Sequence, residues 1–115
     1  MHKFENLRVW QESVVLIKLI YLFCKKLPTS ERNNLIDQIK RSSTSVALNI
    51  AEGSGSPNDI EYKRYLYIAK KSLIEVIGTL KIAKELYNID IQQEEIKATM
   101  LLKQLNSLIN YLDSK

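Results

Sequence analysis

Residues 59–87 of the 115-residue chain, DIEYKRYLYIAKKSLIEVIGTLKIAKELY, decide the fold. Apolar side chains recur along this stretch at alternating steps of four and three residues, which is the spacing of one helix face. They are Tyr62, Leu66, Ala69, Leu73, Val76, Leu80, Ala83 and Tyr87. The stretch therefore predicts one long helix, about 45 Å from end to end, with a single buried face.

Outside this stretch, breaker residues divide the chain into further helical segments. The sequence has only 3 Gly and 2 Pro. This is too few for a β-sandwich or small barrel, in which turns recur about every 8–12 residues. Boundaries lie at Pro28, at the segment 53–57 and at the segment 88–90. The four segments between them predict helices at about 7–26, 30–53, 59–87 and 91–113.

Four residues carry expectations about helix ends and crossings. Asn58 and Glu61 have the spacing of a capping box at the start of the third helix. Gly53 suits the left-handed position that closes the second helix. Gly78 lies inside the third helix, where a glycine costs about 1 kcal/mol relative to alanine, and the sequence gives no firm reason for it.

The connections between the predicted helices are short, about 3 to 6 residues, which makes successive helices antiparallel. The hydrophobic content of 45% and the net charge of +4 exclude a disordered chain. We therefore predict an all-α fold, an antiparallel up-down-up-down four-helix bundle, with residues 1–115 as a single domain.

The residue inventory excludes most catalytic chemistry. Cys24 and His2 are the only residues of their types, too few for a zinc site or a nucleophile–base pair. Neither GxxxxGK[ST] nor GxGxxG is present. We predict a protein that is not an enzyme and has no metal and no cofactor, with Cys24 as an inert packing residue.

The longest apolar run, 14–24, is interrupted by Lys18 and is shorter than the roughly 20 residues of a membrane span. Acidic residues occupy the place of a signal peptide's basic region. We expect a cytoplasmic protein with no membrane partner.

The first helix is apolar on nearly all sides, which favours burial on more than one face. One interpretation is a contact between subunits of an oligomer, and the other is a central core helix. The first predicts an oligomer interface built from Trp10, Leu16, Leu19, Ile20 and Phe23.

Three segments of the chain resemble the motifs of one known protein family. Residues 38–53, QIKRSSTSVALNIAEG, resemble a signature that is approximately QIRRAAxSIPxNIAEG. The opening, with Phe4, Leu7, Val9, Trp10 and Gln11, is similar to the pattern F-x-x-L-x-V-W-Q, and the segment 61–66, EYKRYL, is similar to E-F-x-x-F-L. By these motifs the chain resembles the 23S rRNA intervening-sequence proteins, a four-helix-bundle family.

The resemblance implies a left-handed bundle that assembles as a ring, a homopentamer, and binds nucleic acid. It also implies kinship to accessory proteins of retroelement reverse transcriptases, so a nucleic-acid enzyme is a further expected partner. Ala47 stands where the family often has Pro, and Ser56 where an Arg often follows the loop glycine. The second departure weakens the expectation of nucleic-acid binding.

The third helix carries a basic face. At 100° per residue, Lys63, Lys70 and Lys81 fall within about 20° of one line. The remaining members of the predicted nucleic-acid site are Arg64, Tyr67 and Lys71. Cations with an interleaved aromatic ring suit a phosphate backbone and a stacked base. The other interpretation is an ordinary solvated face.

A second polar group lies on the second helix, where Arg41, Ser45, Asn49 and Glu52 follow one another at steps of three and four residues. We predict a structural polar network that ties the end of the second helix to the loop or to a neighbouring subunit; the alternative is a functional polar site at the end of the bundle.

The function that we predict from the sequence is RNA or DNA binding by a ring through its repeated basic face. Five copies of a chain with a net charge of +4 carry +20 together. A basic face that binds nucleic acid weakly in one copy therefore binds more tightly when it is repeated around a ring. The alternative is a scaffolding homo-oligomer with no role in nucleic-acid binding.

Overall fold

The computed structural model describes residues 1–115 and has four α-helices and no strands. The helices are α1 (Arg8–Cys24), α2 (Asp37–Ser54), α3 (Asp59–Tyr87) and α4 (Gln92–Ser114). Short 3-10 helices precede α1 at Lys3–Asn6 and lie between α1 and α2 at Thr29–Glu31. No helix is both long enough and apolar enough to cross a membrane.

One hydrophobic cluster, to which all four helices contribute, forms the core. The molecule is elongated along the helices, with extents of 45 × 25 × 19 Å. The six inner members of the predicted α3 stripe, from Leu66 to Ala83, have no exposed surface. Its two ends, Tyr62 and Tyr87, are only partly covered. The four-three spacing therefore identified the buried face of the longest helix.

The predicted and observed helices differ most at the start of α2. The prediction began this helix at residue 30, but the chain passes through the 3-10 turn and a π-helical segment, Arg32–Ile36, before Asp37. The Glu31 carboxylate accepts a hydrogen bond from the Leu35 amide at 3.5 Å. The Glu31 side chain therefore caps the segment.

Gly53 does not close α2 as predicted, because the helix continues to Ser54 and no glycine has a positive φ. Its lack of a side chain matters for packing instead. A Cβ at Gly53 would lie 2.9 Å from Tyr65 Cβ and 3.0 Å from Tyr62 Cδ1. The left-handed conformation occurs at Asn88, at the end of α3, with φ of 53°. Gly53 therefore lets α2 and α3 approach closely.

The start of α3 is capped as predicted. Asn58 Oδ1 accepts a hydrogen bond from the Glu61 amide at 2.9 Å. The Glu61 side chain does not complete a reciprocal box, because it binds Arg64.

We expect Asn58→Ala to lower the free energy of unfolding by about 1 kcal/mol, because it leaves an amide of the first turn without a partner. Thermal unfolding by circular dichroism measures this, with the exposed Asn110→Ala in α4 as the control. Equal melting temperatures for the two variants would contradict a role of Asn58 as a cap.

Polar contacts join the helices along their length. Lys63 and Lys81 of α3 form ion pairs with Asp113 and Glu95 of α4. The hydroxyl groups of Ser45 on α2 and Ser72 on α3 lie 2.9 Å apart and form a hydrogen bond between the two helices. Two further contacts join Tyr87 to Glu31 and Lys97 to Glu12.

Candidate functional site

Three of the five cations predicted for the basic face of α3 are engaged by carboxylates of the same chain. Lys63 Nζ lies 2.7 Å from an Asp113 oxygen, and this hydrogen bond raises the pKa of Lys63. Lys81 Nζ lies 2.5 Å from a Glu95 oxygen, and this hydrogen bond lowers the pKa of Glu95. Both ion pairs reduce the positive charge that the face presents to a polyanion.

Arg64 is held in the same way. Its guanidinium donates to both Glu61 oxygens, at 3.3 and 3.1 Å, and lies over the Tyr65 ring at 4.7 Å from its centroid. The predicted basic face of α3 therefore does not present all of its cations to solvent as unpaired charges.

The remaining three residues of the predicted basic face lie close together in sequence, within about one and a half turns of α3. Lys70 and Lys71 are in none of the chain's six ion pairs. Tyr67, one turn earlier, is 48% exposed. Residues three and four apart share one side of a helix, so the two ammonium groups can bind phosphate while the exposed ring stacks on a base. We name Tyr67, Lys70 and Lys71 the Tyr67–Lys71 cluster.

The predicted polar network on α2 forms in part. Asn49 donates to the Ser45 carbonyl at 2.8 Å and to the Ser45 hydroxyl at 3.0 Å, and Ser45 meets Ser72 of α3. Arg41 instead pairs with Asp37 on its own helix, and Glu52 is exposed and in no ion pair. No three His, Cys, Asp or Glu side chains lie together where they could hold a metal ion.

The residues predicted for an oligomer interface on α1 fall into two groups. Leu16, Ile20 and Phe23 are at most 1% exposed, within the core of a single chain. Their assignment to a contact between subunits is therefore corrected, because α2 and α4 already cover this face of α1. Trp10 and Leu19 are partly exposed.

A groove between the end of α1 and the start of α2 was not predicted. It has a volume of about 1000 Å³ and apolar walls that include Ile17, Leu22 and Ile36. The buried Cys24 is also among its lining residues, and this burial raises the pKa of the Cys24 thiol.

Four cations line this groove and no carboxylate does: Lys18, Lys25, Arg32 and Lys40. None of them is in an ion pair. Lys40 Nζ lies 4.8 Å from the centre of the Tyr21 ring. The basic residues on either side of Pro28 were a signal in the sequence, but only the fold adds Lys18 and Lys40 to them. We name this surface the α1–α2 groove.

Comparison with known proteins places the chain in a family. The family model described as 23S rRNA-intervening sequence protein matches residues 5–113. A crystal structure of a protein with unknown function from the S23 ribosomal protein family of Bacteroides thetaiotaomicron is similar, with a TM-score of 0.77 and 26% identity. The match covers 88% of this chain and 97% of that chain. No curated protein matches. The chain belongs to the family of 23S rRNA-intervening sequence proteins.

Proposed function

We propose that this protein is a non-enzymatic, ring-forming four-helix bundle of the cytoplasm that binds RNA or DNA through the Tyr67–Lys71 cluster. The observation that supports this most is the absence of an ion pair at Lys70 and Lys71 beside the exposed Tyr67 ring. Binding a phosphate there breaks no existing salt bridge, whereas binding at Lys63 or Lys81 would compete with a carboxylate of the chain.

The proposed architecture is a left-handed bundle of antiparallel helices. The pairs Lys63–Asp113 and Lys81–Glu95 support opposite directions for α3 and α4, because the start of each helix meets the end of the other. The contacts Glu31–Tyr87 and Ser45–Ser72 support the same for α2 and α3.

The proposed assembly is a homopentamer. Five Tyr67–Lys71 clusters around one ring would hold ten unpaired lysines, so each cluster can be weak and the ring can still bind. A nucleic-acid enzyme that handles the same RNA or DNA is a further proposed partner.

A scaffolding oligomer without nucleic acid is the second candidate. It is favoured by the pairing of Lys63, Arg64 and Lys81 with carboxylates of the same chain, since paired cations contribute less to counterion release. Binding that depends on salt distinguishes the two candidates.

We expect a labelled single-stranded RNA to bind the wild-type protein at about 50 mM salt and to dissociate as salt rises. Lys70→Gln/Lys71→Gln should weaken binding and reduce the slope of log K against log salt by about 1.4 for each cluster that touches the strand. Fluorescence anisotropy over a salt series measures both quantities.

The matched control for this experiment is Lys3→Gln/Lys103→Gln, which removes two exposed, unpaired lysines elsewhere. Equal losses in the two double variants would show that net charge and not the cluster determines affinity. If the wild-type protein does not bind the RNA even at the lowest salt, the proposed nucleic-acid binding is wrong and the scaffolding oligomer remains as the candidate function.

A further inference from the structure

The second half of α3 presents an acidic and apolar face to solvent. At 100° per residue, its members lie within an arc of about 120°. They are Ile74, Glu75, Gly78, Ile82, Glu85 and Leu86. Ile74, Ile82 and Leu86 are 51%, 50% and 61% exposed, and neither carboxylate is in an ion pair. We name this surface the acidic α3 face; it begins after the Tyr67–Lys71 cluster.

The α1–α2 groove has the opposite charge and the same apolar character. Its walls include Leu22, which is 60% exposed, and Tyr21, which is 44% exposed. Four unpaired cations and no carboxylate line it. Within one chain, therefore, one surface offers unpaired carboxylates beside exposed isoleucines and another offers unpaired cations beside an apolar depression.

The two surfaces lie at the same level along the molecule. Glu31 of the segment before α2 meets Tyr87 of α3, and Ser45 meets Ser72. Lys40 is nine residues after Glu31 and five before Ser45, while Gly78 is nine before Tyr87 and six after Ser72. Lys40 in the groove and Gly78 on the face are therefore level with each other.

We infer that the acidic α3 face of one copy docks in the α1–α2 groove of a second copy of this chain. The contact joins two different surfaces, so each copy uses both of them, and repeated contacts at a constant level form a ring when the rotation between copies divides a full turn. Unpaired carboxylates meet unpaired cations, and the exposed isoleucines are covered by Leu22 and Tyr21. The inference rests on the ring assembly proposed above and names the surfaces that form it.

Gly78 gives an independent reason to place a partner on this face. A Cβ built there meets no atom within 4 Å, so nothing in the single chain requires a glycine at this position. A glycine inside a helix is costly compared with alanine. Where two helices pack closely, however, it lets the partner's side chains reach the backbone. The docked groove of a second copy supplies that neighbour.

Charge reversal tests the pairing of the two surfaces, with native mass spectrometry reporting the subunit number at micromolar protein. Glu75→Lys/Glu85→Lys and Lys18→Glu/Arg32→Glu should each abolish the wild-type assembly, because like charges then face each other. All four substitutions in one chain should restore it, since opposite charges meet again. The control Glu52→Lys/Lys103→Glu changes two exposed residues outside both surfaces and should leave the subunit number unchanged.

Gly78→Leu tests the close approach. It should abolish assembly while the chain remains helical by circular dichroism, because Gly78 is exposed in the monomer and a Cβ there meets no atom within 4 Å. Lys103→Leu on α4 is the control and should assemble as the wild type does.

In the charge-reversal experiment, loss of assembly in both double variants together with its rescue in the fourfold variant supports the inference.

The possible failures are distinguishable. A wild-type oligomer that survives both reversals and Gly78→Leu overturns the docking and leaves the ring intact. A wild type that is monomeric throughout overturns both the docking and the ring.

Discussion

Gly53→Ala should destabilise the protein, although alanine is the better helix former. The new Cβ would lie 2.9 Å from Tyr65 Cβ, 3.0 Å from Tyr62 Cδ1 and 3.3 Å from the Tyr62 carbonyl oxygen. Tyr65 Cβ is bonded to the α3 backbone and cannot rotate away, so α2 and α3 must separate. Overpacking of this kind costs about 1–3 kcal/mol.

The helix propensity of alanine offsets about 1 kcal/mol of that cost. We therefore expect a net loss of up to about 2 kcal/mol, and a melting temperature several degrees lower. Urea unfolding at one fixed protein concentration measures the difference, because assembly would make stability depend on concentration.

The other two glycines serve as controls because their surroundings differ. Gly55→Ala places its Cβ in ordinary contact, 3.6 Å from the Glu52 carbonyl oxygen, and should change stability little. Gly78→Ala meets nothing within 4 Å and should stabilise a monomer by about 1 kcal/mol. If Gly53→Ala were as stable as Gly55→Ala, the close approach of α2 and α3 would not constrain this position.

The fold was predictable wherever burial has a helical period. The α3 stripe and the Asn58 cap follow from spacing and from the chemistry of helix ends, both of which are local. The start of α2 was not predicted correctly, because the Glu31 side chain and a π-helical turn replace an ordinary helix start. The packing role of Gly53 was also not predicted, because it depends on the position of Tyr65 on the next helix.

The candidate site was less predictable because its charges are paired across long sequence separations. Lys63 is neutralised by Asp113, fifty residues away, and no spacing rule in α3 reveals that partner. On α1, a helix that is apolar all round did not show which side faces the core. The structure assigns Leu16 and Phe23 to the core and leaves Tyr21 and Leu22 outside.

The family signature on α2 has a physical explanation in these contacts. Five of its buried positions follow the four-three spacing, and they hold two small residues and three branched ones. These positions are Ile39, Ser43, Val46, Ile50 and Gly53. Gly53 lets α3 approach closely, and the branched residues fill the core between the helices. Helix packing therefore explains the buried part of the signature, without a role in binding.

Ile50→Ala tests this explanation and should have the largest effect of the substitutions considered. Ile50 has no exposed surface and lies in the core cluster. Removing its three outer carbons loses buried apolar contact and leaves a cavity, which together cost about 2–5 kcal/mol. Urea unfolding should show the midpoint moving to lower denaturant with an unchanged slope.

Leu48→Ala is the matched control, because it removes a similar volume two residues away from a side chain that is 63% exposed. It should change the free energy of unfolding by less than about 0.5 kcal/mol. The comparison separates packing from a surface role for the signature. If Leu48→Ala were the more damaging variant, the segment would be held by a contact outside the single chain, and the packing explanation would be wrong.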